Sequence, residues 1–291
     1  MQKVSDEIFD YFPCGVDVPT NVMEEAEEIR VRFGQAIVIR YRNKEFLTDR
    51  IADEKVILKL LENFTNNSIY AVQSEINSGF ITIKGGHRVG ISGTCIFEEG
   101  KIKNIRYISS LNIRVAHEVK GCSTFLVSEL YKDTFENTLI LSSPGAGKTT
   151  LLRDMIRELS NRGNNISVVD ERSEIAAMYK GVPQNDLGVR TDVMNNCRKD
   201  KGIRMMIRSM APNIIATDEI GDGKDIDAIY EANFSGIKLL LTAHGESILD
   251  VPSRFFKNKL FKNIIILKKD KAPGVVKNIY KLKEDKYVIN Y

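Results

Sequence analysis

The rhythm of apolar and polar positions changes near residue 120. Before it, β-branched residues alternate with charged ones, and residues 29–33 and 36–41 predict a β-hairpin. Residues 53–63 (DEKVILKLLEN) carry Val56, Leu58, Leu60 and Leu61 at helical spacing, and 68–78 continue as a second helix. Short extended runs follow at 80–83, 85–88, 89–91 and 93–96, separated by glycine turns, and 105–116 is extended again. Residues 1–119 therefore read as a small α+β domain.

Beyond a helical stretch at 121–131, apolar runs at 139–141, 166–169, 214–217 and 239–242 alternate with helical patterns, notably 150–160 and 203–210. That alternation predicts a mostly parallel sheet with helices on both faces, spanning residues 120–291. From residue 264 the pattern reverts to strands, with 275–282 and 286–291 separated by a Glu284-Asp285 turn. There is no internal repeat and no low-complexity tract.

Composition narrows the class. Among 291 residues, 42 Lys and Arg face 39 Asp and Glu, a net charge of +3, with 43% hydrophobic residues. A wholly disordered chain and a polycation are both excluded. The near-neutral sum hides an asymmetry: residues 251–291 hold eleven Lys and Arg against three acids, a net +8, which leaves −5 on the rest. Uncharged runs reach only about ten residues, as in 138–147, where a spanning helix needs about 20. Acids within the first ten residues argue against a signal peptide. Cys14, Cys95, Cys122 and Cys197 form no CxxC or Cys/His cluster, so they read as reduced thiols and not as a zinc site. His87 and His117 read as structural; only His244 has a context that suggests more.

The strongest chemical signal is Thr138-Leu-Ile-Leu-Ser142-Ser143-Pro144-Gly145-Ala146-Gly147-Lys148-Thr149-Thr150. It lies between an apolar strand and a helix, where a phosphate-binding loop must lie. Small residues let backbone N–H groups converge on phosphate oxygens, and the helix start adds its dipole. Lys148 is expected to reach the β/γ-phosphates of ATP, and Thr149 to bind Mg²⁺. Ser142 replaces the first glycine of G-x-x-x-x-G-K-[ST].

Such a loop needs acids at a neighbouring strand end. Residues 212–221 (PNIIATDEIG) place Asp218 and Glu219 there, Asp218 for Mg²⁺ and Glu219 for the attacking water. Two further strand ends carry polar groups: Asp170-Glu171-Arg172-Ser173-Glu174 and Thr242-Ala243-His244. In a parallel sheet all four ends meet on one rim, where His244 can hydrogen-bond a γ-phosphate.

These four motifs, in this order, resemble the type II/type IV secretion ATPases. Stretches 85–93, 111–121, 168–177, 181–193, 207–221 and 235–245 resemble most closely the stage III sporulation AA family of endospore-forming bacteria. The resemblance spans nearly the whole chain. It implies an α/β fold, a RecA/AAA-like P-loop ATPase core with a smaller α+β domain before it. Residue by residue, it gives Lys148 and Thr149 the phosphate and Mg²⁺ positions, Glu219 the strand glutamate and His244 the histidine box. Asp170, Glu171 and Glu174 fall on the acidic box, which makes Asp170 a further candidate Mg²⁺ ligand and Glu171 a catalytic one. Asp218 stands where many secretion ATPases have glycine, and Gly221 replaces an arginine common there.

The resemblance also implies a hexameric ring in which arginines from a facing surface neutralise transition-state charge. Candidates are Arg88, Arg106, Arg114, Arg204 and Arg208, with Arg88 and Arg114 in family-like segments and Arg114 placed first. The implied function is a cytoplasmic motor that energises a membrane-embedded sporulation channel from mother cell to forespore, peripheral on the inner face of the membrane. A RecA-like nucleic-acid-dependent ATPase and a nucleotide-dependent scaffold are the alternatives. No aromatic-interleaved basic platform favours nucleic acid, and the pairing of Lys148 with Glu219 argues against the scaffold. The basic end reads as solvated strand faces or as a docking surface for an acidic partner or anionic leaflet.

Overall fold

The structure is a computed structural model that describes all residues except 1–5, 14–15, 132–133, 222, 252, 271, 285 and 290–291. Cys14, Lys271, Asp285 and part of the N-terminal segment named above lie outside the described residues. The chain divides into two units: Met1–His117 with Ala177–Gln184, and Glu118–Ala176 with Asn185–Tyr291.

In the first unit, short helices α1 (Asp6–Phe9) and α2 (Thr20–Glu24) precede strands β1 (Ala26–Arg32), β2 (Ala36–Tyr41) and β3 (Lys44–Ile51). Helix α3 (Glu54–Phe64) and the short α4 (Gln73–Asn77) follow, then β4 (Phe80–Thr82), β5 (Arg88–Glu98) and β6 (Lys101–Arg114). The six strands form an antiparallel sheet in the order β3-β2-β1-β6-β5-β4. Helix α3 starts where the Asp53 carboxylate accepts the Val56 N–H at 2.8 Å. It buries Val56, Ile57, Leu60, Leu61 and Phe64, each contributing about 1.5–3 kcal/mol relative to exposure.

Two expectations change here. The glycine-punctuated runs at 85–96 form mainly one 11-residue strand, β5, and its partner β6 runs 14 residues. Gly93 does not end the strand. It sits where the register shifts, and a Cβ there would meet the Arg106 carbonyl at 2.7 Å. The turn joining the pair is Glu99-Gly100, both with positive φ (51° and 75°), as a two-residue hairpin turn requires. The second helix expected over 68–78 is a 3₁₀ turn, Ile69–Val72, followed by α4.

The second unit begins with α5 (Thr124–Leu130) and β7 (Thr138–Ser142), then α6 (Lys148–Asn161), β8 (Ile166–Asp170) and β9 (Thr191–Asn195). Helix α7 (Lys199–Met210), β10 (Ile214–Thr217), α8 (Gly223–Phe234) and β11 (Lys238–His244) come next. The unit closes with α9 (Ser253–Lys257), β12 (Asn263–Leu267), β13 (Val276–Lys283) and β14 (Lys286–Ile289). The sheet order is β14-β13-β12-β7-β11-β10-β8-β9. The strands from β12 to β9 are parallel, and β13 and β14 add an antiparallel edge. Strands β7, β8, β10 and β12 are buried along their whole length. That burial explains their unbroken apolar runs, since a parallel sheet covered on both faces has no polar face.

The order also positions chemistry. Strand β7 lies between β12 and β11, and β10 lies between β11 and β8. The carboxyl ends of β7, β11, β10 and β8 are therefore consecutive along one rim, where open α/β sheets bind ligands. At the far edge, Lys283 pairs with Lys286 across β13 and β14, and both are exposed, which places part of the basic end on a solvated hairpin.

Candidate nucleotide site

Strand β7 ends at Ser142, and the loop 143–147 leads into α6. Ser142 is fully buried, lies in the strand and has no positive φ, so this position needs no glycine. The two glycines that remain are the ones the backbone demands: Gly145 at φ 78° and Gly147, the cap of α6, at φ 90°. A Cβ on Gly147 would stand 2.4 Å from the Gly274 nitrogen and 2.7 Å from the Pro273 Cβ. The 273–274 turn packs on the loop, and the Gly274 N–H donates to the Ala146 carbonyl at 2.9 Å. Nothing in the sequence pattern pointed to that turn.

Lys148 is the first residue of α6 and is 6% exposed. Its ammonium donates to the Ser142 carbonyl and meets His244 Nδ1, each at 3.3 Å. Burial lowers its pKa, and the charges of Glu219 and Asp218 oppose that effect. An ammonium cannot accept a hydrogen bond, so His244 accepts at Nδ1 and carries its proton on Nε2. Nε2 faces Glu219 Oε1 at 3.3 Å. Thr149 and Thr150 occupy the first turn of α6 and are half-buried.

Glu219 follows β10 with φ 44°, an unusual conformation for a non-glycine residue. The neighbouring strand holds it: its N–H donates to Thr242 Oγ1, and the Ile220 N–H to the Thr242 carbonyl, both at 2.9 Å. Glu219 Oε2 accepts from Arg172 Nη1 at 3.1 Å. Asp218 beside it is 2% exposed. Burial, then the nearby Asp170 charge, pushes its pKa up to about 7, while the Lys199 ammonium opposes the rise.

Asp170, the further candidate metal ligand, is fully buried at the end of β8. Its Oδ1 accepts the Glu174 N–H at 2.8 Å, and its Oδ2 accepts those of Ile175 and Ala176 at 3.1 and 2.8 Å. Both oxygens accept from the 171–176 loop, and Oδ1 keeps one lone pair. Burial still raises its pKa against those three donors. Arg153 of α6 fastens the same loop by donating to the Glu174 and Ile175 carbonyls, both at 2.9 Å. Glu171 is paired with Lys199, whose side chain is 7% exposed, at 2.6 Å. A cavity of about 460 Å³ opens beside the rim between Glu171, Arg198, Lys199, Glu219, Gly221 and Asp225.

Of the candidate arginines, Arg204 is held by Glu231 through two hydrogen bonds of 2.8 and 2.9 Å between α7 and α8. Arg208 also lies on α7. Arg88, Arg106 and Arg114 belong to the first unit's sheet, where Arg114 pairs with Glu28 on one side and Arg88 on the other. Arg88 lies 3.5 Å over the Phe80 ring. Lys199, Arg153 and Arg172 complete the rim, and motif reasoning passed over them. Lys199 acts by pairing with Glu171 and Arg153 by donating to loop carbonyls, contacts that composition does not reveal.

Loop, lysine, threonine and Asp218 suit a nucleotide with Mg²⁺. Among the described residues, no group of three or more His, Cys, Asp and Glu could hold a metal ion. Mg²⁺ usually takes only one or two carboxylates and completes its shell with phosphate and water.

The family model for sporulation stage III, protein AA matches residues 17–287, and the chain belongs to that family. Stage III sporulation protein AA of Bacillus subtilis (strain 168) is 38% identical over 91% of this chain and 89% of that protein. Type II secretion system protein E of Aeromonas hydrophila is 23% identical over 80% of this chain and 47% of that protein. Among solved structures, the Legionella pneumophila ATPase DotB matches with a TM-score of 0.60 at 16% identity, covering 92% of this chain and 84% of that one. The pilus retraction motor PilT with bound ADP matches at 0.59 and 15%, covering 83% and 74%. At such identities the likeness establishes the α/β fold of the secretion ATPases.

Proposed function

We propose that this chain is an ATP-hydrolysing motor that works as a hexameric ring on a membrane complex of spore formation. The observation that carries the reading is the juxtaposition on one rim. A left-handed glycine caps α6, and the buried Lys148 behind it connects through His244 to Glu219. Backbone N–H groups of Ser143, Gly145, Ala146 and Gly147, with Lys148 and Thr150, bind the phosphates, while Pro144, which has no N–H, shapes the loop. Thr149 and Asp218 hold Mg²⁺, which when bound neutralises phosphate charge. Glu219 orients the attacking water and takes up its proton. His244 links the two catalytic groups, accepting from Lys148 at Nδ1 and presenting its Nε2–H to Glu219. The Lys199 ammonium favours ionised Asp218.

Names among the similar proteins, an ATPase, a pilus retraction motor and a type II secretion component, support the motor over a scaffold. No helix among the described residues is long and apolar enough to cross a membrane. A cytoplasmic motor docked peripherally on a membrane channel accords with this, and Arg114 of a neighbouring copy is the proposed source of transition-state charge. The test is Glu219→Gln. It should bind a fluorescent ATP analogue as wild type does, while kcat falls by about a hundredfold. Unchanged kcat would remove Glu219 from the chemistry.

A further inference from the structure

We propose that Arg172 is a positioning residue for Glu219, fixing the carboxylate that works on the attacking water; this rests on the ATPase reading above. Three observations carry it.

The first is how firmly the arginine's base is held. The loop after β8 is closed onto Asp170 by three backbone N–H groups and strapped by the Arg153 guanidinium from α6. Ser173, the next residue, is in the left-handed region at φ 54°, so the chain turns sharply beyond Arg172. Strands β8 and β10 are tied at the same level, where Thr217 Oγ1 donates to the Val169 carbonyl at 2.7 Å. Arg172 thus reaches Glu219 from a fixed platform on the adjacent strand.

The second is the division of the carboxylate. Arg172 takes Oε2 at 3.1 Å and His244 faces Oε1 at 3.3 Å. The backbone of Glu219 is pinned by Thr242. Each carboxylate oxygen has two lone pairs, so one on each remains for water. Two partners on opposite oxygens fix the rotation of the carboxylate plane, which one partner cannot do.

The third is that folding does not require the pair. The Arg172 side chain is 63% exposed, and pairs of that kind contribute little to stability. Gly221 leaves open space nearby, since a Cβ there meets nothing within 4 Å. No bulky neighbour at that position would hold Glu219 if the guanidinium were gone.

The experiment measures kcat and KM for ATP in wild type, Arg172→Ala, Arg172→Lys, Glu219→Gln and the Arg172→Ala/Glu219→Gln double variant. Urea midpoints serve as the folding control. Arg172→Ala should lower kcat about tenfold with KM within twofold, because a displaced base costs rate and not binding. Arg172→Lys should recover part of the loss. The double variant should match Glu219→Gln alone, since without the base there is nothing to position. Equal kcat in wild type and Arg172→Ala, or independent losses in the double variant, would overturn the proposal and leave the ATPase reading standing. Turnover in wild type no greater than in Lys148→Ala would instead remove the ATPase reading, and this role with it.

Discussion

Replacing Asp218 by asparagine should stabilise the metal-free protein, and increasingly so as pH rises. Asp218 is 2% exposed, and its pKa stands near 7 against 3.8 for the unperturbed group, because of burial and then the Asp170 charge. Between those values the folded chain keeps a proton that the unfolded chain has released. Stability therefore falls as pH climbs from about 4 towards 7 and levels off above it. One pKa unit corresponds to about 1.4 kcal/mol, so the full span is roughly 4 kcal/mol, and the part between pH 5 and 8 about 2–3 kcal/mol. Asparagine keeps the shape without the charge. The assay is urea unfolding of both proteins in chelator at pH 5, 6, 7 and 8. Asp218→Asn should gain on wild type by about 2–3 kcal/mol across that series, mostly below pH 7. A difference between the two proteins that stays constant from pH 5 to 8 would refute the reasoning.

Three further outcomes are expected. Asp154 is 2% exposed and accepts the Gly121 and Ser123 N–H groups at 3.0 and 2.7 Å and the Arg157 guanidinium at 2.7 Å. Asp154→Ala takes the acceptor from all three donors, the buried Ser123 N–H among them, and should cost about 2–4 kcal/mol in urea unfolding; a loss near zero would contradict that. Gly147→Ala should destabilise by at least about 1 kcal/mol more than Gly163→Ala. Both glycines have positive φ, but only at Gly147 would the Cβ meet backbone, and equal unfolding midpoints would contradict the packing of the 273–274 turn on the loop. Reversing the charges of the exposed Lys268 and Lys269 should weaken binding to anionic vesicles or acidic partner segments while ATP turnover stays at the wild-type rate. Intact binding in a flotation assay would return the basic end to a solvated surface.

The parallel core was legible because burial on both faces leaves an unmistakable trace, as in Leu139-Ile140-Leu141 and Ile214-Ile215-Ala216. The phosphate loop was legible because Gly145, Gly147 and Lys148 are local demands of backbone and charge. Strand β6 was only half legible: its start, Lys101-Ile102-Lys103-Asn104, is exposed or partly exposed, so no hydrophobic face marks it. Strand β3 and strand β9 were missed for the same reason, being sheet edges with few buried positions. The acidic box was located, but the contacts of its first carboxylate were not. Asp170, a candidate at the metal, also closes its own loop by accepting N–H groups within 3.1 Å. Arg172 was visible within the motif, yet its partner is 47 residues away on another strand. Only the sheet order brings them together.

On the proposed function, Lys148 serves an ATP site that turns over. The most direct test is phosphate release by the purified chain with ATP and Mg²⁺, wild type beside Lys148→Ala at equal concentration. Wild type should release phosphate, and Lys148→Ala should be slower by about a hundredfold, because a buried ammonium aimed at phosphate charge is lost. Equal rates in the two proteins would contradict the assignment of the site.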